Sequence, residues 1–485
     1  MISRKAAIAA GMVLVAIAIS WVVLQGPQQG TSSRPEVANQ NPYLTEFSLP
    51  DGTGPNGLVV DKSGTVFVTS SKSDMLYSFD KGGNLNHYEI KDGGIPYFKP
   101  GQNTSMVWTA VRGTDGNIWF SPLGTRTLWS FDPSDGSFHA MESKAGSAFQ
   151  MKVDRSSGNV WFTTLEGDSL GVVEKDPASP SGYKIANFDL GNGTGPAGLY
   201  LSGGSVWVTE ITSQKVVQYS ISEENGTVRG ISKVRAMPLD NQTQLSAPTD
   251  LVVGNDSVWL TEHGTSFLTE YLLGENKVIR YPTSQNAFHA TTLPFWLREA
   301  GGGKYLWFNE HEGNKLAFFD VENKTMIEYD IPSRPKDGYL TYPLNIATDP
   351  NDGMILWFSE WNTDKLGRID GHTQVPFSIS AGSNVVALST DATKDTSVSL
   401  RVDGTSPYSQ NKVFLNASSS MEPAAGFGNV DVRIVPDSLD LSSGHDAKIL
   451  LRNYSAPPGN YTLGVSVSNG AVTKTIFLDL VVPAG

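Results

Sequence analysis

The stretch YLWFNEHEGNKLAFFDVENKTMIEYDIP, residues 305–332, contains the repeating unit of this chain. Its short apolar segments, LWF, LAFF and MIEY, alternate with turn-forming runs such as HEGN. Apolar segments of this length, bounded by Gly, Asn and Asp, are typical of β-strands. The stretch therefore predicts successive short strands joined by tight turns.

The same pattern recurs along the chain. An aromatic residue followed by an apolar residue and Thr, Ser or Asn stands at Phe67, Trp119, Trp161, Trp207, Trp259, Trp307 and Trp357, at spacings of 52, 42, 46, 52, 48 and 50 residues. A Pro motif precedes most of them, at Pro55, Pro196, Pro248, Pro294 and Pro343. Four short strands per repeat of this length indicate a propeller blade, so we predict an all-β chain with a seven-bladed β-propeller.

Ring closure requires a strand that joins the two ends of the propeller, because open sheet edges are a liability. The segment LTEFSLP (44–50) matches the outer-strand pattern of IEYDIP (327–332) and precedes the first Pro motif. We expect it to be the outer strand of the last blade. The segment TQVPFSI (373–379) is the alternative for that place.

A second domain follows the propeller. We place the propeller at 43–375 and the second domain at 376–485, where the sequence becomes rich in Ser, Thr and Val. Apolar and polar residues alternate in SVSLRV (397–402), VDVRIV (430–435), YTLGVSV (461–467) and TIFLDLV (475–481). This alternation predicts an immunoglobulin-like β-sandwich.

The N-terminus predicts a membrane segment. Residues 6–24 carry no charge and follow Arg4 and Lys5, so we interpret 1–25 as a transmembrane anchor helix or a signal, and 26–42 as a flexible linker. The bulk of the chain is then extracytoplasmic on a single-pass cell-membrane protein; secretion after cleavage is the alternative. Nine Asn-x-Ser/Thr tripeptides fit a glycoprotein, at Asn103, Asn192, Asn225, Asn241, Asn255, Asn323, Asn416, Asn453 and Asn460.

Composition excludes several classes of protein. The net charge of −13 argues against a nucleic-acid partner, which requires a basic face. The absence of cysteine excludes disulfide scaffolds, thiolate metal sites and cysteine nucleophiles.

Acidic residues recur where the second strand of a blade ends. That position is occupied by Glu210, Glu262, Glu310 and Glu360 in four consecutive blades, and His263 and His311 follow two of them. Carboxylates gathered at one rim favour a divalent cation, most simply Mg²⁺, with His311, His263 or Glu310 as catalytic groups. The alternative is that each Glu pairs with a nearby lysine such as Lys315 or Lys365.

Other side chains are expected on the same face. We predict a ligand rim formed by Asp250, Phe295, Trp296, Asn345 and Trp361, together with Trp108 and Phe149. Aromatic rims suit a small molecule, a cyclic peptide or a glycan, although the same rings could pack the channel. Lys152 and Arg298 lie along inner strands, where they either line the channel or pair with the carboxylates.

The motifs PNGL, PAGL, WVTE, WFNEHEGNKL, WFSEWNTDKLGRID and LTEFSLP resemble the streptogramin lyase (virginiamycin B lyase) family over about residues 43–372. The resemblance implies a seven-bladed propeller and Mg²⁺-assisted opening of cyclic depsipeptides by elimination. It also implies a His directly after the Pro of two late inner-strand motifs. Those two places hold Phe295 and Leu344, neither of which can accept a proton.

Three functions follow from these observations. The first is a surface propeller that binds a ligand on its rim without turnover. The second is a metal-dependent C–O lyase of related architecture. The third is a structural or adhesion protein of the cell envelope.

Overall fold

The computed structural model describes residues 33–484, except 92–93, 100, 240–243, 286–288, 336–339 and 405–411. The predicted anchor, 1–25, lies outside the described residues. In the part that is described, regular structure consists of β-strands, and no helix there is long and apolar enough to cross a membrane. The first strands are β1 (Val37–Gln40), within the segment predicted as a linker, and β2 (Leu44–Ser48).

Seven antiparallel sheets follow one another; the first six each contain four strands that are consecutive in sequence, and the seventh contains three such strands and an N-terminal one. The first three are β3 (Pro55–Val60), β4 (Val66–Ser70), β5 (Met75–Phe79) and β6 (Leu85–Glu89); β7 (Ala110–Arg112), β8 (Ile118–Phe120), β9 (Thr127–Asp132) and β10 (Ser137–Glu142); and β11 (Met151–Val153), β12 (Val160–Thr164), β13 (Ser169–Lys175) and β14 (Tyr183–Asp189).

The next four sheets complete the set. They are β15 (Pro196–Ser202), β16 (Ser205–Glu210), β17 (Lys215–Glu224) and β18 (Thr227–Met237); β19 (Pro248–Val253), β20 (Ser257–Glu262), β21 (Phe267–Leu272) and β22 (Lys277–Pro282); β23 (Pro294–Ala300), β24 (Tyr305–Glu310), β25 (Lys315–Asp320) and β26 (Thr325–Asp330); and β27 (Pro343–Asp349), β28 (Asp352–Glu360) and β29 (Lys365–Asp370) with β2.

The first strands of the seven sheets form a closed ring. In order, β3, β7, β11, β15, β19, β23 and β27 each contact the next, and β27 contacts β3. The sheets are therefore arranged like the blades of a propeller, with these strands innermost. We number the blades one to seven from β3.

The ring closes through the N-terminal segment, as the sequence predicts. Strand β2 pairs antiparallel with β29, with Leu44 opposite Ile369 and Ser48 opposite Lys365. Strand β1 adds a fifth strand to this last blade, and Ser33 forms a bridge with Leu85 of the first blade. The alternative segment, 373–379, instead leads into β30 of the second domain.

Asp side chains connect two pairs of neighbouring blades, the seventh with the first and the third with the fourth. Asp364, just before β29, accepts hydrogen bonds from the backbone N–H groups of Gly52 and Gly54 at 2.9 and 2.6 Å. Asp168, before β13, does the same for Gly193 and Gly195, both at 2.7 Å. The glycine-rich loops before two inner strands thus have their N–H groups occupied internally.

The C-terminal region forms two further sheets. One contains β30 (Phe377–Ala381), β32 (Thr396–Gly404), β36 (Asp446–Asn453) and β34 (Val430–Val435). The other contains β38 (Val472–Val482), β37 (Gly459–Ser468), β33 (Lys412–Ser419) and β35 (Ser438–Asp440), with β31 (Val385–Ala387) parallel to β38. Apolar residues of both sheets share one buried cluster.

The second domain is joined to the propeller by a continuous sheet, which the sequence pattern did not predict. Strand β38 pairs antiparallel with β26, the outer strand of the sixth blade, from Thr325 opposite Ile476 to Tyr329 opposite Val472. The sixth blade therefore continues directly into the C-terminal sheet.

Candidate functional site

One face of blades five to seven carries backbone strain. The residue before the inner-strand Pro adopts a left-handed conformation in Ala247, Leu293 and Tyr342, with φ of 48°, 51° and 50°. Gly54 and Gly195 hold the equivalent place in blades one and four. A non-glycine residue in this conformation costs about 1–2 kcal/mol, so the surrounding contacts must impose it.

Those contacts include the backbone of the predicted site. The N–H of His263 donates to the carbonyl of Ala247 at 3.0 Å, and the N–H of His311 donates to that of Leu293 at 3.1 Å. The end of the second strand and the start of the inner strand are thereby held together in each blade.

The two histidines predicted as catalytic lie side by side. Nε2 of His263 is 3.3 Å from Nδ1 of His311. The ring of Phe295 packs against both, with centroids 4.8 Å from His263 and 4.1 Å from His311. His311 is buried and its Nε2 has no hydrogen-bond partner in the part of the chain that is described, whereas His263 is half-buried.

Both imidazoles are neutral at pH 7. Burial lowers the pKa of His263 to about 4. Burial, with a smaller contribution from His263, holds the pKa of His311 well below its ordinary value. A neutral imidazole can accept a proton, but a base with so low a pKa binds it weakly.

The low pKa values of His263 and His311 predict that the folded protein becomes less stable in acid. Because the folded-state pKa values lie below the unfolded value near 6.5, the unfolded state binds more protons as pH falls, so stability decreases from pH 6.5 down to about pH 4. The pKa shift of His263 corresponds to a loss on the order of 3 kcal/mol. Urea unfolding at pH 7 and pH 4 should show a smaller loss in His263→Gln than in wild type. His139 is exposed, so His139→Gln is the control. An equal loss of stability between pH 7 and pH 4 in all three proteins would contradict the assignment of this loss to His263.

Glu310 lies in a network with one lysine and a second carboxyl group. It is opposite Lys315 in the strand register, and the Lys315 ammonium is 3.7 Å from Oε1 of Glu328. Glu328 also accepts hydrogen bonds from the N–H and hydroxyl of Ser284, at 3.0 and 2.8 Å. Burial and the nearby Glu328 raise the pKa of Glu310 well above its ordinary value. Glu310 therefore keeps its proton to a higher pH than an exposed glutamate does.

Blade seven repeats this arrangement. Glu360 is opposite Lys365, whose ammonium is 3.9 Å from Oε2 of Glu46. Glu46 accepts a hydrogen bond from the Ser333 hydroxyl at 2.6 Å, as Glu328 does from Ser284. Burial and Glu46 raise the pKa of Glu360 well above its ordinary value. Sequence analysis missed Glu46 and Glu328, although both stand at the acidic position of the recurring outer-strand motif.

Blades four and five hold their glutamates differently. Oε1 of Glu262 accepts a hydrogen bond from Nε of Arg280 at 2.7 Å, and the Thr269 hydroxyl donates to the same carboxylate at 2.6 Å. Glu210 accepts hydrogen bonds from the hydroxyls of Ser213 and Tyr219, at 2.6 and 3.0 Å. Each carboxyl group thus finds its partners in its own blade.

The predicted cluster of Glu210, Glu262, Glu310 and Glu360 is therefore not gathered around one point. Glu210 and Glu262 are bonded within their own blades, and Glu360 accepts a hydrogen bond from the Thr363 hydroxyl at 2.7 Å. Among the described residues, neither carboxyl oxygen of Glu310 has a hydrogen-bond partner. In the described ranges, no three His, Asp or Glu side chains lie close enough to hold one metal ion.

The expected aromatic rim is buried. Phe295, Trp296 and Trp361 are 2%, 0% and 3% exposed. The first two pack with Trp108 and Phe149 from blades two and three: the Phe295 ring centroid lies 5.5 Å from that of Trp108, and the Trp296 centroid lies 5.5 Å from that of Phe149. Because these rings come from blades on opposite sides of the ring, they meet across the axis. We call Trp108, Phe149, Phe295 and Trp296 the aromatic plug.

The two polar residues assigned to the rim support this packing. Oδ2 of Asp250 accepts hydrogen bonds from the N–H of Leu297 at 2.9 Å and from Arg298 at 2.8 Å. Asn345 donates from Nδ2 to the carbonyl of Trp108 at 2.6 Å. Both side chains are buried, so they connect inner strands instead of facing solvent.

Comparisons with solved structures support the propeller. The chain is similar to a streptogramin B lyase structure, at 20% identity over 67% of this chain and 97% of that chain, with a TM-score of 0.52. It is similar to virginiamycin B lyase from Staphylococcus aureus, at 20% identity over 68% of this chain and 99% of that one, with a TM-score of 0.52.

A catalytically inactive form of the Staphylococcus aureus enzyme with quinupristin matches at 21% identity, over 68% of this chain and 99% of that one, with the same TM-score of 0.52. No family model and no curated protein matches the chain. At this identity the comparisons show a shared fold: the propeller of this chain is built like that of the streptogramin lyases.

Proposed function

We propose that this protein is a non-catalytic binding or structural propeller of the cell envelope, derived from a lyase-like fold. The observation that carries the proposal is the aromatic plug, together with the bonding of Glu210 and Glu262 within their own blades. A lyase of this architecture needs a base and a metal-binding carboxylate on an open face. Here the corresponding side chains are packed or bonded within the blades.

The two positions where the family resemblance requires histidine support this proposal. Phe295 belongs to the aromatic plug and contacts both histidines, and Leu344 is buried. Neither residue can take part in proton transfer. The acids beside them, Glu310 and Glu360, have raised pKa values, so they are poor ligands for a divalent cation at neutral pH.

The proposal includes a location outside the cell and a partner at the cell surface. A membrane anchor at 1–25, or secretion after its removal, would place both domains outside the cell, with the second domain acting as an immunoglobulin-like spacer. Of the eight predicted glycosylation sequons in the described residues, seven have an exposed Asn, as a glycoprotein would require. The partner would be a glycan, a peptide or another surface molecule, and not a nucleic acid.

A second candidate is a Mg²⁺-dependent C–O lyase with His311, His263 and Glu310 as its reacting groups. The adjacent neutral imidazoles favour it, because either could accept a proton from a substrate. That function would require the Phe295 ring to move away from both histidines.

Incubation of the protein with quinupristin and Mg²⁺ tests whether it is a non-catalytic propeller or a lyase. We expect no ring opening and no saturable binding when residues 33–485 are incubated with both and followed by mass spectrometry, with a streptogramin lyase as positive control. Turnover that chelator and His311→Gln each abolish would contradict the proposal and favour the second candidate.

A further inference from the structure

A second group of polar side chains lies along the axis, next to the aromatic plug. Gln150 and Lys152 are two residues apart at the inner strand of blade three, and Trp296 and Arg298 are two apart on that of blade six. Strand β23 is irregular between Pro294 and Leu297, so the place of Arg298 is taken from its contact with Trp296. Trp296 belongs to the plug and the Arg298 guanidinium lies 5.7 Å from its ring, so Arg298 is adjacent to the plug.

Two hydrogen-bond donors in this group lack protein partners. Oε1 of Gln150 accepts a hydrogen bond from the N–H of Leu199 at 2.6 Å, but its Nε2 is buried with no partner among the described residues. The Lys152 ammonium makes no direct hydrogen bond or ion pair with any described residue. A buried amide N–H without a partner loses its hydrogen bond to water on folding, which favours a ligand or an ordered water there.

The carboxylates nearby are already engaged. Asp250 is fully buried and pairs with Arg298, and its Oδ1 accepts the N–H of Leu251 at 2.8 Å. Glu299 is exposed and accepts a hydrogen bond from the Tyr200 hydroxyl at 3.2 Å. Lys152 is therefore the cation of this group without a dedicated counter-ion.

The pKa of Lys152 agrees with the absence of a dedicated counter-ion. Burial and the repulsion of Arg298 lower its pKa to about 8, more than Asp250 and Glu299 raise it. The ammonium is still mostly protonated at pH 7, so the axis holds a partly desolvated positive charge. A bound anion would stabilise that charge.

We propose that Lys152, Gln150 and Arg298 form an axial binding site for a small monoanion, a halide or the carboxylate of a small acid. Lys152 supplies the charge, Gln150 Nε2 a directed hydrogen bond, and the guanidinium edge of Arg298 further donors. The aromatic plug closes one end, so the anion enters from the opposite end of the ring. The site is separate from the histidine pair and does not depend on the proposed function.

Iodide is a suitable probe, because it quenches tryptophan fluorescence on contact and Trp296 borders the site. In chloride-free buffer at constant ionic strength, balanced with gluconate, we expect one saturable quenching phase that acetate displaces. Lys152→Met should weaken the iodide affinity at least tenfold, and Gln150→Leu should weaken it several-fold while retaining the charge. Lys175→Met, an exposed lysine of the same blade, is the matched control.

Neutral acrylamide separates binding from a change in exposure, since its quenching should be the same in all four proteins. Lys152→Arg covers the case in which the methionine variant does not fold, and it should retain saturable iodide quenching. Purely linear quenching in the wild type, or a saturable phase unchanged in both Lys152→Met and Gln150→Leu, would overturn the proposal.

Discussion

Replacing Trp296 by alanine should lower the free energy of unfolding by about 4 kcal/mol, the usual loss for a large buried aromatic residue. Trp296 is fully buried, and its ring lies 4.5 Å from that of Phe295 and 5.5 Å from that of Phe149. Removing it opens a cavity at the axis that the surrounding strands cannot close. Urea unfolding monitored by circular dichroism measures the change.

Tyr454→Ala is the control for this prediction, because that ring is 57% exposed, and it should change stability by less than about 0.5 kcal/mol. If Trp296 were part of an open ligand-binding rim, Trp296→Ala would leave stability nearly unchanged and impair only ligand binding. That result would contradict the assignment of Trp296 to the aromatic plug.

Replacing Arg280 by methionine should destabilise the protein by about 3 kcal/mol, because it leaves a buried carboxylate without its cation. Glu262 is fully buried, and Arg280 reaches it through Nε at 2.7 Å and through Nη2 at 3.2 Å. Adding Glu262→Gln to Arg280→Met should restore much of the loss, since it removes the unpaired charge. Chemical denaturation of the two single variants and the double variant gives the coupling energy.

Arg229→Met is the matched control, because its partner Glu224 is exposed and such surface pairs contribute about 0–1 kcal/mol. A stability change for Arg280→Met no larger than that of Arg229→Met would mean that Glu262 is solvated or bound to another cation. The same result would favour the predicted metal site on this face.

The periodic elements could be predicted from sequence because they depend on local pattern. The recurring aromatic and Pro motifs give the four-stranded sheets, and the likeness of LTEFSLP to IEYDIP predicts the closing strand, which does pair with β29. The pairing of β26 with β38 could not be predicted, since it joins segments that are distant in sequence and share no motif.

The side-chain environment was harder to predict than the strands. Alternation indicates that Glu310 and Phe295 lie near the end of a strand, but it does not show what faces them. The partner of Glu310 is Glu328, in the outer strand of the same blade, and the partners of Phe295 include Trp108, on the far side of the axis. The first relation depends on the pairing of strands within one blade, and the second depends on the closure of the ring. The sequence pattern thus predicted an open acidic rim where the structure has a packed one.

The most direct test of the central claim, that this face is internal structure and not a metal site, is thermal unfolding of residues 33–485 during titration with Mg²⁺ and Mn²⁺. We predict no saturable change in Tm for the wild type or for Glu310→Gln. A metal ion that binds the folded state, present at a free concentration of about 100 times its Kd, would add roughly 2.7 kcal/mol to the stability of that state. A saturable increase of that size in the wild type, absent in Glu310→Gln, would contradict the account and support a metal-dependent enzyme.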